Sequence, residues 1–336
     1  MLFLKTGSII TLLLLILFAK NDGQQQYTIQ GYAQGTSYTV KYFATAELVT
    51  KKTLDSLLLQ IDSSMSLYKP YSQINAFNNC SSEMKIDAHF SKVMSKSFEV
   101  YKATWGLFDV TVKPLVQAWG FGSERIKQLP DSAHIKEILK CTGMDRLRLK
   151  DGVLKKKSPC LQVDLNGIAQ GYSVDVVAVH LVKKGISSYV VEIGGELRIN
   201  GTKPDGTLYK IGVEGPAEGK DAEPIIKHTV SFNKGAITTS GNYRKYIQQG
   251  EKRISHLINP KTGYPLDNEM ISVTVFAKDA ITADGYDNAL MAMSVAEALK
   301  FIDRHKELEA YMVYRNKDGR VADTLSAGFK KIIVDN

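Results

Sequence analysis

The chain has 336 residues, 44% of them hydrophobic, and a formal net charge of +8. That length and apolar share suit one large domain or two smaller ones, each with a real core. The basic residues are scattered and the longest run, Lys155-Lys156-Lys157, sits beside an expected turn at Asp151-Gly152, so the charge reads as a solvated surface and excludes nucleic acid as a partner.

The first residues differ in kind from the rest. Lys5 precedes an apolar run over 9–18, broken only by Thr11, and Ala19 then leads into a polar stretch over 20–26. A short positive region, a short apolar region and a small residue predict a secretory signal, taken as residues 1–23, with the mature chain beginning between Lys20 and Tyr27. The run is short for a membrane span, and no cysteine lies near it to carry a lipid anchor. The mature protein is therefore expected outside the cytoplasm. The three cysteines, Cys80, Cys141 and Cys160, lack metal-ligand spacing, and at most one pair can bridge.

Residues 25–42 alternate and predict two short strands around Gly31 or Gly35. Helical spacing covers 45–67, followed by a turn-rich stretch over 66–79, a second helix over 90–104 and a third, short one over 132–141. A hairpin is expected around Asp151-Gly152. Residues 163–164 read as an apolar strand end that feeds a glycine-containing loop (Asn166, Gly167, Gly171) and a helix over 172–184. The second half turns β-rich, with a strand over 189–199 interrupted at Gly194-Gly195 and others over 209–213, 227–232, 236–238, 253–257 and 271–277. A long helix over 283–303 and a strand pair at 310–315 and 320–322 close the chain. Helices mixed with antiparallel hairpins predict an α+β fold.

Four segments offer chemistry. The loop VDLNGIAQGYSVD, 163–175, drops bare backbone onto a helix start, which is either a phosphate cradle or a plain strand-to-helix turn. It lacks both the dinucleotide and the P-loop spacing. Asp284, Asp287 and Asn288, at i, i+3 and i+4, share one face of an expected first helical turn. Their hard oxygens suit Mg²⁺ or Ca²⁺, or else they complement the helix dipole. His256, before an Asn-Pro turn, is a candidate general base. Residues 238–244 pack hydroxyls, Gly241 and Arg244 into a junction that is either an anion site or a turn.

Taken in order, eight pieces resemble the ApbE-type FAD:protein FMN transferase family. They are GYAQGTSYTV, SMSLYKPYSQINAFN, GLFDVTVKPLVQAWGFG, VDLNGIAQGYSVD, YVVEIGGELRINGTKPDG, TTSGNYRKY, HLINPKTGYP and ADGYDNALMAM. The resemblance implies an ApbE-like, T-fold-like α+β architecture over 24–336, with two subdomains around a central FAD cleft as one arrangement. It implies Mg²⁺-dependent cleavage of FAD, transfer of FMN to a Thr or Ser hydroxyl of an acceptor protein, and release of AMP. The implied acceptors are flavoprotein subunits of membrane redox complexes on the periplasmic side. This chain itself would touch the membrane only through an uncleaved N-terminal segment.

Carried over residue by residue, the resemblance places FAD contacts at Gln34, Tyr68, Leu107, Phe108, Asp109, Asp164, Gln170 and Ile258. It places metal ligands at the Gly167 carbonyl and at oxygens of Asp284, Asp287 and Asn288, that of Asp287 from its backbone, and a hydroxyl-activating base at His256. Asp284 doubles as a catalytic residue. The chain departs from the family's usual Met at Gln34, Ala at Leu107, Lys or Glu at Gln170 and Thr at Asn288. Two other activities remain open: a metal-dependent FAD pyrophosphatase yielding FMN and AMP, and a secreted FAD-binding protein without turnover.

Overall fold

The computed structural model describes residues 23–215, 225–243, 246–249 and 252–334. The expected signal, except Gly23, and Arg244 lie outside these residues. The first part carries β1 (Gln25–Ala33), β2 (Thr36–Ala44), α1 (Lys51–Met65), α2 (Gln73–Asn79), β3 (Glu83–Lys85) and α3 (Ala88–Ala103). A 3₁₀ turn (Val110–Val112) then leads to α4 (Lys113–Ala118), α5 (Ser132–Leu139), β4 (Leu147–Lys150), β5 (Val153–Lys156) and α6 (Ala169–Lys183). Next come β6 (Tyr189–Ile193), β7 (Glu196–Asn200), β8 (Tyr209–Glu214), β9 (Ile226–Phe232), β10 (Lys234–Gly241), β11 (Tyr246–Gln249) and β12 (Lys252–Ser255). The chain ends with β13 (Met270–Ala277), α7 (Ala280–Met291), α8 (Val295–Arg304), β14 (Glu309–Arg315), β15 (Val321–Leu325) and α9 (Ala327–Ile332).

Eight strands form one sheet in the order β1-β2-β6-β7-β10-β13-β14-β15, every neighbouring pair antiparallel. Side chains alternate across such a sheet. Val191, Ile193, Ala236, Val275 and Met312 enter the larger core, together with residues of α1, α3, α6 and α7. Val190, Ile199, Ile237, Tyr311 and Val313 enter a second core with Val213, Val230, Phe232 and Phe329. Both faces of the sheet are therefore covered, which is why β6, β13 and β14 read as nearly continuous apolar runs rather than strict alternations. The α+β expectation holds.

Several boundaries move, each for a local reason. Gly194 and Gly195, both at positive φ, form the turn of a β6–β7 hairpin rather than an interruption within one strand. The stretch expected to be turn-rich contains α2, whose Ser72 side chain caps the Asn75 N–H and which buries Ile74 and Phe77. The expected long C-terminal helix is two. Between them Ser294 and Glu297 form a capping box that starts α8 afresh. Residues 163–164 are not strand, and α6 begins at Ala169, three residues earlier than expected. Cys141 and Cys160 form a disulfide, leaving Cys80 as a free thiol.

Candidate active site

Asp279 caps α7 by accepting the Thr282 N–H. Two further amide groups of that first turn, from Ala280 and Ile281, donate to Asp175 at 3.0 and 2.9 Å. Asp175 belongs to α6 and also holds Arg198 of β7 at 2.6 Å. The last residue of the 163–175 segment thus fixes the start of α7. The helices approach so closely that a Cβ on Gly171 would stand 2.4 Å from the Ala280 carbonyl oxygen and 2.7 Å from the Asp284 Cβ.

Because α7 starts at Ala280, Asp284 and Asp287 lie in its second turn, not its first. The dipole explanation therefore fails: both carboxylates are buried, at 4% and 1% exposure, and their helix is already capped by others. Each has one oxygen anchored. The Gly171 N–H donates to Asp284 Oδ2 at 2.8 Å, and the Thr238 hydroxyl donates to Asp287 Oδ2 at 2.6 Å. The other two oxygens, Asp284 Oδ1 and Asp287 Oδ1, converge with the Gly167 carbonyl on the Asn288 amide, at 3.4, 3.0 and 3.3 Å. Gly167, Asp284 and Asn288 therefore meet at one point with Asp287, which arrives through its side chain and not through the expected backbone, although about 120 residues of chain separate Gly167 from Asn288.

Burial drives the Asp284 carboxyl up to about 7, against the opposing Gly171 N–H and with the Asp175 charge adding to the rise. Burial likewise holds Asp287 and Glu196 well above the usual carboxylate range, and the neighbouring Asp284 charge raises both further. Among the described residues no Lys or Arg pairs with these three groups. Buried carboxylates that face one another without a cation are costly, and hard oxygens of this kind fit Mg²⁺. Nor do three His, Cys, Asp or Glu side chains gather as a metal cluster among the described residues. A cation here would draw on the Gly167 carbonyl and the Asn288 amide as well as two carboxylates.

The other expected residues sort into groups. Gln34 occupies the β1–β2 turn at φ 54° and donates to Ser173 of α6 at 2.9 Å. Gln170, on the first turn of α6, donates to the Ile193 carbonyl at 2.9 Å and to Glu196. Asp109 has its carboxylate consumed locally. It accepts from the Thr111 N–H, the Thr111 hydroxyl and the Met144 N–H. The Asp164 N–H donates to the Val110 carbonyl at 2.7 Å, joining the two segments. Tyr68 is 66% exposed, and partial burial together with the Asp164 charge raises its pKa. Phe108 is core. Leu107 helps line a cavity of about 400 Å³ with Trp105, Met293, Phe301, Lys261, Lys300 and Arg304. That cavity reaches Ala292, one helical turn beyond Asn288.

His256 and Ile258 contact a smaller core, on the same loop as the Lys261 that lines the cavity. Ile258 packs on a small core of Leu115, Trp119 and Ile135, and the His256 ring meets Phe121 edge-on at 6.2 Å. Trp119 is thus a core residue, its indole N–H donating to the Gly263 carbonyl.

Three contributors escaped the sequence reading. Glu196 lies next to a glycine pair that looked like an interruption. Thr238 and Ser240, read as half of an anion junction, instead donate to Asp287 and Asn288. Their i, i+2 spacing on a strand was the available signal, since it puts both hydroxyls on one face.

The ApbE family model matches residues 34–312. The chain is 34% identical to the FAD:protein FMN transferase of Haemophilus influenzae, over 97% of each chain. It is 35% identical to that of Vibrio cholerae, over 95% of this chain and 96% of the relative. The solved flavin transferase ApbE from Vibrio cholerae superposes with a TM-score of 0.83, at 34% identity, over 92% of this chain and 99% of that one. The apo flavinyl transferase ApbE of Pseudomonas stutzeri gives a TM-score of 0.82 at 30% identity, over 92% of this chain and 97% of that one. With its fold, its motifs and nearly its whole length in agreement, the chain belongs to the ApbE family.

Proposed function

We propose that the protein transfers FMN from FAD to a Thr or Ser hydroxyl of an acceptor protein, with Mg²⁺, releasing AMP. Membership in the ApbE family supports the flavin transfer. The observation that carries the finer reading is the convergence of Gly167, Asp284, Asp287 and Asn288 on one point between α6 and α7.

Mg²⁺ bound there would neutralise pyrophosphate charge and so ease attack at phosphorus and departure of AMP. The chain's own residues prepare that site. Gly171 and Thr238 hold the outer carboxylate oxygens, so the inner ones face one another. The cavity beside Leu107, largely apolar and with three cations against the single carboxylate of Glu297 in its wall, suits a ligand that joins planar rings to phosphates. His256 would take the proton of the acceptor hydroxyl from its position beside Phe121. The N-terminal apolar run supports action outside the cytoplasm, and the family resemblance supports membrane-attached redox proteins as the acceptors.

The test is incubation with FAD, Mg²⁺ and candidate flavoprotein subunits, followed by mass measurement of the acceptor. A gain of one FMN with stoichiometric AMP supports the proposal. Free FMN and AMP with no mass gain would make the enzyme a pyrophosphatase, and tight FAD binding without AMP would leave a carrier.

A further inference from the structure

The Asn288 amide has an unusual set of partners. Its nitrogen donates toward the Gly167 carbonyl at 3.3 Å, the Asp284 carbonyl at 3.1 Å, Asp284 Oδ1 at 3.4 Å and Asp287 Oδ1 at 3.0 Å. An NH₂ group carries two protons, so four acceptors oversubscribe it. Its oxygen accepts from the Ser240 hydroxyl at 3.3 Å. With the carboxylates ionised, the opposite orientation would set an oxygen against four oxygens, so the neighbours themselves decide which end points inward. Among the described residues the inward end is the one hydrogen-bond donor to the inner oxygens of both carboxylates, whose outer oxygens are held by Gly171 and Thr238.

We propose that Asn288 is a built-in stand-in for the cation. Without a cation, its NH₂ fills the position and separates Asp284 from Asp287. When a cation binds, the amide turns over and presents Oδ1 instead. Ser240 serves both orientations, since a hydroxyl donates to the amide oxygen in one and accepts from the amide nitrogen in the other. The inference rests on the proposed Mg²⁺ reading and adds to it that residue 288 sets cation affinity by competing for the position. The competition trades affinity for a cation-free fold that tolerates its own carboxylates.

Chelator-stripped protein tests this, using thermal midpoints and Mg²⁺ calorimetry on wild type, Asn288→Asp and Asn288→Ala. Without cation, both variants should melt several degrees below wild type, Asn288→Asp the more, because it adds another carboxylate beside Asp284 and Asp287. Saturating Mg²⁺ should restore Asn288→Asp to at least the wild-type midpoint. Its Mg²⁺ affinity should rise about tenfold, the worth of one charge-assisted contact. In ¹⁵N-labelled wild type the Asn288 side-chain NH₂ signals should shift as Mg²⁺ saturates. Variants that melt equally low with and without Mg²⁺ would reduce Asn288 to a packing residue and overturn the proposal. Unmoved NH₂ signals while wild type binds Mg²⁺ would also overturn it, leaving the metal reading intact. A wild type that shows neither heat nor midpoint change with Mg²⁺ would overturn the metal reading, and the stand-in with it.

Discussion

Two regions that the sequence marks as chemical are built in opposite ways. The carboxylate site lies in the main core, between two helices and a strand, with its outer oxygens held by a backbone N–H and a threonine hydroxyl. The His256 region lies on loops around a three-residue core, with partly exposed rings. Charge in a dry interior must be fixed, because an unpaired carboxylate there is costly. A group that meets a second protein has to stay reachable. On the proposed reaction, the rigid half would serve the phosphates and the accessible half the acceptor.

The largest expected effect lies in the rigid half. Asp284→Asn should lower Mg²⁺-dependent AMP release on the order of 10³-fold or more, measured by single-turnover kinetics. The same substitution should change the pH dependence of the cation-free fold. A carboxyl raised to about 7 contributes stability that is complete below its ordinary value of about 4 and is lost as pH rises through about 7. Wild type without cation should therefore lose midpoint across that window relative to Asp284→Asn, and Mg²⁺ should erase the difference. Parallel curves would mean that Asp284 is not strained by its burial.

Next is the disulfide, which bridges a separation of 19 residues. Removing it through Cys141→Ser with Cys160→Ser should cost about 3 kcal/mol by denaturant titration. The bridge anchors the loop whose Met144 N–H holds Asp109, so FAD affinity should weaken as well. In the accessible half, His256→Ala should slow transfer about 10²-fold while FAD binding stays the same. A matching loss of FAD affinity would collapse the division between the two regions. The smallest effect is expected for Thr238→Val, which leaves Asp287 Oδ2 without its donor. It should cost about 1–3 kcal/mol of cation-free stability and less with Mg²⁺ present.

Much of this was legible where chemistry is local. The β1–β2 hairpin, the helices α1, α3, α5 and α6, and the i, i+3, i+4 face of α7 all follow from short-range pattern. Some signals were present but outweighed. Asp279, three residues before Thr282, marks the true start of α7, and Ser294 with Glu297 marks its separation from α8. An unbroken apolar face had suggested one helix. Paired glycines between alternating residues signal a hairpin, yet Gly194-Gly195 sits in so apolar a run that one strand was the simpler reading. The approach of Gly167 to Asn288 was legible only through the family resemblance, and the capping of α7 by Asp175 and the reach of Thr238 to Asp287 were not legible at all. They depend on which helix crosses which strand, and residue spacing carries no such information.

The narrow contact at Gly171 has a consequence for how the protein can vary over generations. No side chain fits between that position and Ala280, so the distance between the two helices cannot be reset by substitution on one side alone. On the same helix, Val179 and Val182 lie 46% and 55% exposed and carry no such constraint. Change can accumulate along the outer surface of α6 while its first turn stays locked to its neighbour. Substitution is then free on that outer face, but not in the spacing that holds the charge.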